Sequence, residues 1–162
     1  MVRSITDSII KPIAKEKTAV VTNPKDFFNL TYGLFLITTK KGQSDNGCIV
    51  NTVMQLTDNP LRISMAVNKA NYTYDLLKTY GQFNVSILTN DTCFDLIKNF
   101  GFSSGKDIDK FENIPAVKRS ANGLLYLTQA CNTVISAEIE NTIDFGTHTI
   151  FIAKVTETIN IS

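Results

Sequence analysis

The 162 residues predict a mainly β protein, a β-barrel with interposed helices, on three observations. Seven stretches rich in large or β-branched apolar residues recur along the chain, bounded by Gly, Pro, Asn or Asp. Only two segments among them carry apolar residues at helical spacing. No pattern repeats at a fixed period, which excludes a solenoid.

Residues 1–24 read as an N-terminal extension and 25–162 as one domain. Ile5, Ile9 and Ile13 lie four apart, the spacing of a short amphipathic helix that Pro12 interrupts. Asn23-Pro24 reads as the cap and first position of a short helix carrying Phe27, Phe28 and Leu30. Leu34–Thr39 is the first strand, and Lys41–Gly47 a turn-rich link. Cys48–Thr57 is a long second strand, and Asp58-Asn59-Pro60 turns the chain into a third over Leu61–Val67. Tyr74, Leu76, Leu77 and Tyr80 follow at helical spacing, closed by Gly81. Phe83–Leu88 is the fourth strand. Asn90 or Asp91 caps a second helix bearing Cys93, Phe94, Leu96, Ile97 and Phe100, with Gly101 as its end. After an irregular stretch containing Pro115, strands are expected near Leu124–Leu127, Thr133–Ile143 and His148–Ile159, the last two joined at Asp144-Phe145-Gly146.

Composition narrows the function classes. A net charge of +1 and 19% charged residues lack the clustered basic footprint of a nucleic-acid binder. A hydrophobic fraction of 43% with ten Phe supports a packed core. No apolar run reaches the ~20 residues of a membrane span, and the charged N-terminus lacks a signal-peptide centre. Cys48, Cys93 and Cys131 are odd in number and far apart, which suits neither a disulfide framework nor a metal clamp. The expectation is a cytoplasmic protein with reduced thiols and no metal site.

The most informative segment is Val67-Asn68-Lys69-Ala70-Asn71-Tyr72-Thr73, where strand periodicity gives way to helix periodicity. A helix start leaves backbone N–H groups unpaired and carries the positive end of the dipole, so it accepts an anion, and Lys69 adds a full charge beside it. Equally, Asn71 is a cap and Lys69 a solvated side chain. In the second strand, Asn51, Thr52 and Gln55 set polar groups among Val50, Val53, Met54 and Leu56. That face either meets water or lines a pocket for a flat, hydrogen-bonding ligand.

Four stretches together resemble the flavin reductase-like family, in its flavoredoxin and rubredoxin-fused form. They are Asn46–Thr57, Ser64–Thr73, Phe100–Phe111 and Gly146–Phe151, and the resemblance runs over about residues 27 to 160 in the same order. It implies an FMN-binding split β-barrel acting as a homodimer. Carried across, Asn46, Cys48, Val50, Asn51 and Thr52 approach the flavin ring. Asn68, Lys69, Asn71 and Thr73 hold the phosphate. Ser103, Ser104, Gly105 and Lys106 form a second loop by the ribityl-phosphate arm or the nicotinamide entrance. His148, the single histidine, stands near the nicotinamide or flavin edge as the catalytic candidate. By its residue type alone it reads as a packed or solvated strand residue rather than a catalyst, and any role is positioning before acid–base work. Cys48 reads as redox-active or as a small buried hydrophobe.

The pattern departs from the family in three places. Thr147 stands where many relatives carry an acidic residue, the N-terminal extension has no counterpart, and no Cys-x-x-Cys pair encodes a rubredoxin iron site. A fusion partner would lie beyond Ser162. The implied activity is reduction of bound FMN by NADH or NADPH, with electrons passed to free flavin or a rubredoxin-like redox protein. The alternatives are an FMN electron carrier without nicotinamide chemistry, and a pocket for another ligand or a fold that serves only assembly.

Overall fold

The computed structural model describes residues 23–161. The expected N-terminal amphipathic helix lies outside them. The chain divides between Thr31 and Tyr32. In the first part Pro24–Asn29 forms a short 3-10 turn, with Asn23 Oδ1 accepting from Lys25 N at 3.1 Å.

From Tyr32 onward the elements run β1 (Phe35–Lys41), β2 (Ser44–Val50), β3 (Met54–Asp58), β4 (Leu61–Asn68), α1 (Tyr72–Tyr80), β5 (Gln82–Leu88), α2 (Phe94–Phe102), β6 (Val117–Arg119), β7 (Leu125–Leu127), β8 (Cys131–Asp144) and β9 (His148–Asn160). Seven strands form one antiparallel sheet in the order β2-β1-β5-β8-β9-β4-β3, and β6 pairs with β7 apart from it.

The order of strands forces the sheet to curl. β2 and β3 are its two edges, and a flat seven-stranded sheet would hold them about 29 Å apart at normal strand spacing. Only residues 51–53 connect them, a reach of about 14 Å at full extension from Val50 to Met54. The sheet therefore rolls into a barrel whose edges approach without pairing.

Side-chain alternation along β1 feeds two cores. Ile37 joins Met65, Val67, Leu77, Phe83, Val85 and Phe151 in one cluster. Leu36 joins Phe100, Tyr126, Leu127 and Val134 in the other. Helix α1 packs through Leu77 into the first and α2 through Phe100 into the second.

Four local expectations are corrected. The long second strand is broken: residues 51–53 leave the ladder because the Thr52 hydroxyl donates to Ala66 O (2.8 Å) and accepts from Ala66 N (3.1 Å), replacing strand pairing. The link before it shrinks to Gly42-Gln43, since Lys41 already pairs with Ser44, so Asn46 and Gly47 are strand residues. Gly101 lies inside α2 rather than ending it; Ser103 is the cap, and a Cβ at Gly101 would make ordinary contact with Ile49 at 3.7 Å. Neither Asn90 nor Asp91 starts α2, whose N-cap is Cys93 without a side-chain bond. Strand β6, three residues long and starting two residues after Pro115, has too short an apolar pattern to be read from sequence. By contrast α1 starts at the Asn71 cap and ends on Gly81, whose φ of 77° suits glycine.

Candidate functional site

The loop between β4 and α1 is a compact, self-bonded turn. Asn68 Oδ1 accepts from Ala70 N (2.9 Å), Asn71 N donates to Asn68 O (3.0 Å), and Asn71 Oδ1 accepts from Thr73 N (3.0 Å). Both side-chain oxygens are thus turned onto backbone, leaving the amide nitrogen of the exposed Asn68 as an outward donor.

A second loop meets it from the end of α2. Ser104 organises that loop: its hydroxyl accepts from Lys106 N (3.2 Å) and its carbonyl from Asp107 N (3.1 Å). Lys106 Nζ lies 5.3 Å from the centre of the Tyr72 ring, joining the two loops across a gap. Between them opens a polar cleft of about 350 Å³, whose walls include Asn68, Asn71, Tyr72, Ser103, Ser104 and Lys110.

Beneath the cleft, Asn46 Nδ2 donates to Thr73 Oγ1 at 3.0 Å, both residues being buried. Asn46 Oδ1 has no hydrogen-bond partner in the protein, and it sits so close to Gly105 that a Cβ there would lie 2.0 Å away. Cys48, 1% exposed, adjoins Thr73, Asn71 and Lys110. Burial pushes its thiol up, against the pull of the Thr73 hydrogen bond, the Lys110 charge and the Asn71 amide. Lys110 as a residue is 3% exposed, and its ammonium donates to Gly47 O (2.8 Å) and Phe100 O (3.1 Å). Burial holds it below the ordinary lysine range, opposed by Cys48.

The remaining expected residues lie around this centre. Lys69 is ion-paired with Asp144 rather than facing the cleft, and its backbone N donates to Thr147 O at 2.9 Å. His148 is exposed, pairs across the ladder with Asn68, and its Nδ1 shares a 2.9 Å hydrogen bond with Thr147 Oγ1. Asn51 is exposed, while Thr52 spends its hydroxyl on Ala66. Val50 packs on the rim of the first core. The structure thus brings Asn46, Asn68, Asn71, Thr73, Ser103, Ser104, Gly105 and Lys106 into one neighbourhood, with Cys48 sealed beneath it.

Lys110 was not singled out by sequence, where a lysine between Asp109 and Phe111 carries no mark of burial. A larger, more apolar cavity of about 860 Å³ also has Lys110 in its lining, with Leu96, Ile108, Ile114, Pro115 and Leu127 in its walls. Size alone would favour it, but the outward donors gather in the smaller cleft. Among the described residues no group of three or more His, Cys, Asp or Glu side chains is placed to hold a metal, and no helix is long and apolar enough to cross a membrane.

The family model of the flavin reductase like domain matches residues 27–161. The chain belongs to the flavin reductase-like family. This flavin reductase-like chain is 41% identical over 133 residues to the high molecular weight rubredoxin of Moorella thermoacetica, covering 82% of itself and 58% of that protein. It is 34% identical over 131 residues to the ferric-chelate reductase (NAD(P)H) of Archaeoglobus fulgidus, covering 81% of itself and 77% of the relative. Its fold matches the crystal structure of the FMN-binding protein from Thermus thermophilus with a TM-score of 0.77 at 19% identity, over 91% of this chain and 80% of that one. The chain therefore spans little more than half of the Moorella relative's length.

Proposed function

We propose that the protein is an FMN-binding flavoprotein oxidoreductase, reduced by NADH or NADPH and passing electrons to free flavin or to a redox protein such as rubredoxin. The observation that carries this reading is the two-loop polar cleft in a flavin reductase-like chain. FMN, when bound, supplies the acceptor for a hydride. The donor set suits such a group: amide and hydroxyl donors from Asn68, Asn71, Ser103 and Ser104 for a phosphate or ribityl chain, and Lys106 at the rim. Asn46 Oδ1, buried and unpartnered, offers an acceptor where a small displacement of Gly105 would admit a donor.

The protein's own work in this reading is binding and orientation. The Asn46–Thr73 bond fixes the start of α1 against β2, so the loop donors are held before the ligand arrives. The Thr52 hydroxyl pins the crossing segment to β4, which presents Asn51 to solvent and Val50 to the rim. His148, held by Thr147, is a positioning residue for the nicotinamide or the flavin edge.

The name of the Archaeoglobus relative supports nicotinamide as the donor. The rubredoxin named in the Moorella relative supports a redox-protein acceptor, and with it a second reading in which this chain carries electrons without nicotinamide chemistry. A homodimer is part of the proposal, supported by β3, an edge strand exposed along its whole length with Met54 and Leu56 uncovered. Anaerobic titration of the purified yellow protein with NADH and NADPH tests the reading. Rapid loss of flavin absorbance with either supports the oxidoreductase; slow loss, but fast reduction by reduced rubredoxin, supports the carrier. A protein that binds neither FMN nor riboflavin refutes both.

A further inference from the structure

Resting on the reading of the cleft as a flavin phosphate site, we propose that Lys110 supplies its anion-selecting charge from beneath, and that Lys69 does not. Lys69 carries a side chain already ion-paired with Asp144, and it is absent from the cleft wall. Lys110 is part of that wall and is 3% exposed. Its two hydrogen bonds go to the Gly47 and Phe100 carbonyls, which are neutral acceptors. Among the described residues no carboxylate forms an ion pair with it. An ammonium has three donors, so one N–H remains beyond the two carbonyls.

A positive charge kept from water without a counter-charge is costly, and the cost is relieved when an anion enters beside it. The Phe100 carbonyl lies in the last turns of α2, whose negative end gives partial compensation only. Cys48 is the titratable group whose charge bears on it, and burial raises that thiol and so favours its neutral form. A phosphate monoester in the cleft therefore provides the missing negative charge, while the dephosphorylated flavin provides none. The amides of Asn68 and Asn71 and the hydroxyls of Ser103 and Ser104 then set where the phosphate sits, and Lys110 sets that it must be charged.

The test is equilibrium binding of FMN and riboflavin, followed by flavin fluorescence, to the wild type, Lys110→Met and Lys69→Ala. Lys110→Met should lower FMN affinity by roughly tenfold or more, as expected for a lost charged hydrogen bond, and leave riboflavin within about threefold. Lys69→Ala should leave the FMN-to-riboflavin ratio within about threefold. Equal losses of both flavins in Lys110→Met, or an unchanged FMN affinity, overturn the assignment. So does a tenfold collapse of the ratio in Lys69→Ala, a variant at a half-buried surface site that reports even if Lys110→Met does not fold. If wild type binds neither flavin, the cofactor reading itself fails; if it prefers FMN and Lys110→Met still does, only this inference fails.

Discussion

The amide of Asn46 on β2 donates to the hydroxyl of Thr73 in the first turn of α1 at 3.0 Å, and this buried bond joins the two elements behind the cleft. The same amide's oxygen has no partner and faces Gly105, so Asn46 touches both cleft loops at once. Thr73→Val removes the acceptor and strands a buried amide nitrogen. The variant should lose about 1–3 kcal/mol of stability, measured by urea denaturation.

Gly105→Ala addresses the other end of Asn46. A Cβ built there would lie 2.0 Å from Asn46 Oδ1 and 2.7 Å from its Cγ, so the 103–106 loop must move. The shift should cost about 1–3 kcal/mol in folding or flavin binding. Thermal melts with and without FMN separate the two, and a variant matching wild type in both would show that the loop has room.

Thr52→Val removes a hydroxyl that bonds both the N–H and the carbonyl of Ala66. A loss of about 1–3 kcal/mol is expected, with Thr52→Ser close to wild type. Urea denaturation of the pair distinguishes the lost hydroxyl from the lost methyl.

Asp144 is held below the usual carboxylate range by its hydrogen bond from Lys69 first and the backbone N–H of Gly146 second. A depressed folded-state value makes its contribution to stability fully present above the unfolded value of about 3.9 and lost as the pH falls through the folded one. Asp144→Asn should therefore melt slightly below wild type at neutral pH, and the difference should close under acid conditions. The pair is surface-exposed, so the gap is small and shrinks with salt.

The three thiols should react unequally. Cys93 is exposed, whereas Cys48 and Cys131 are buried with thiols pushed up by burial. Native protein treated with iodoacetamide should label at Cys93 alone, and unfolded protein at all three, as read by mass spectrometry. Prompt native labelling of Cys48 would mean that the floor of the cleft opens.

The legible parts of the molecule were those whose signals are local. The change from strand to helix between Val67 and Thr73, the Asn71 cap and the Gly81 stop are each written within a few residues. The break after Val50 was not legible, because the partner that replaces the ladder for Thr52 is Ala66, on another strand. Asn46 and Gly47 look like turn residues; they are strand because they pair with Thr39 and Thr38 of β1, and Thr73 and Lys110 engage them from distant positions. Lys110 is hidden for the same reason, since nothing adjacent to it in sequence announces that two carbonyls will enclose its ammonium. The gathering of Asn68, Asn71, Ser103 and Ser104 was implied only by the family resemblance, and the loops that carry them come together through the curl of the sheet.

The seclusion of Lys110 bears on how the protein behaves in brine. Mobile ions weaken attraction between exposed charges over about 8 Å at physiological strength, and they screen a buried ammonium such as this one much less. Discrimination between phosphorylated and unphosphorylated flavin should thus endure at ionic strengths that erase the Lys69–Asp144 contact. A cell whose internal salt rises and falls would keep its choice of cofactor.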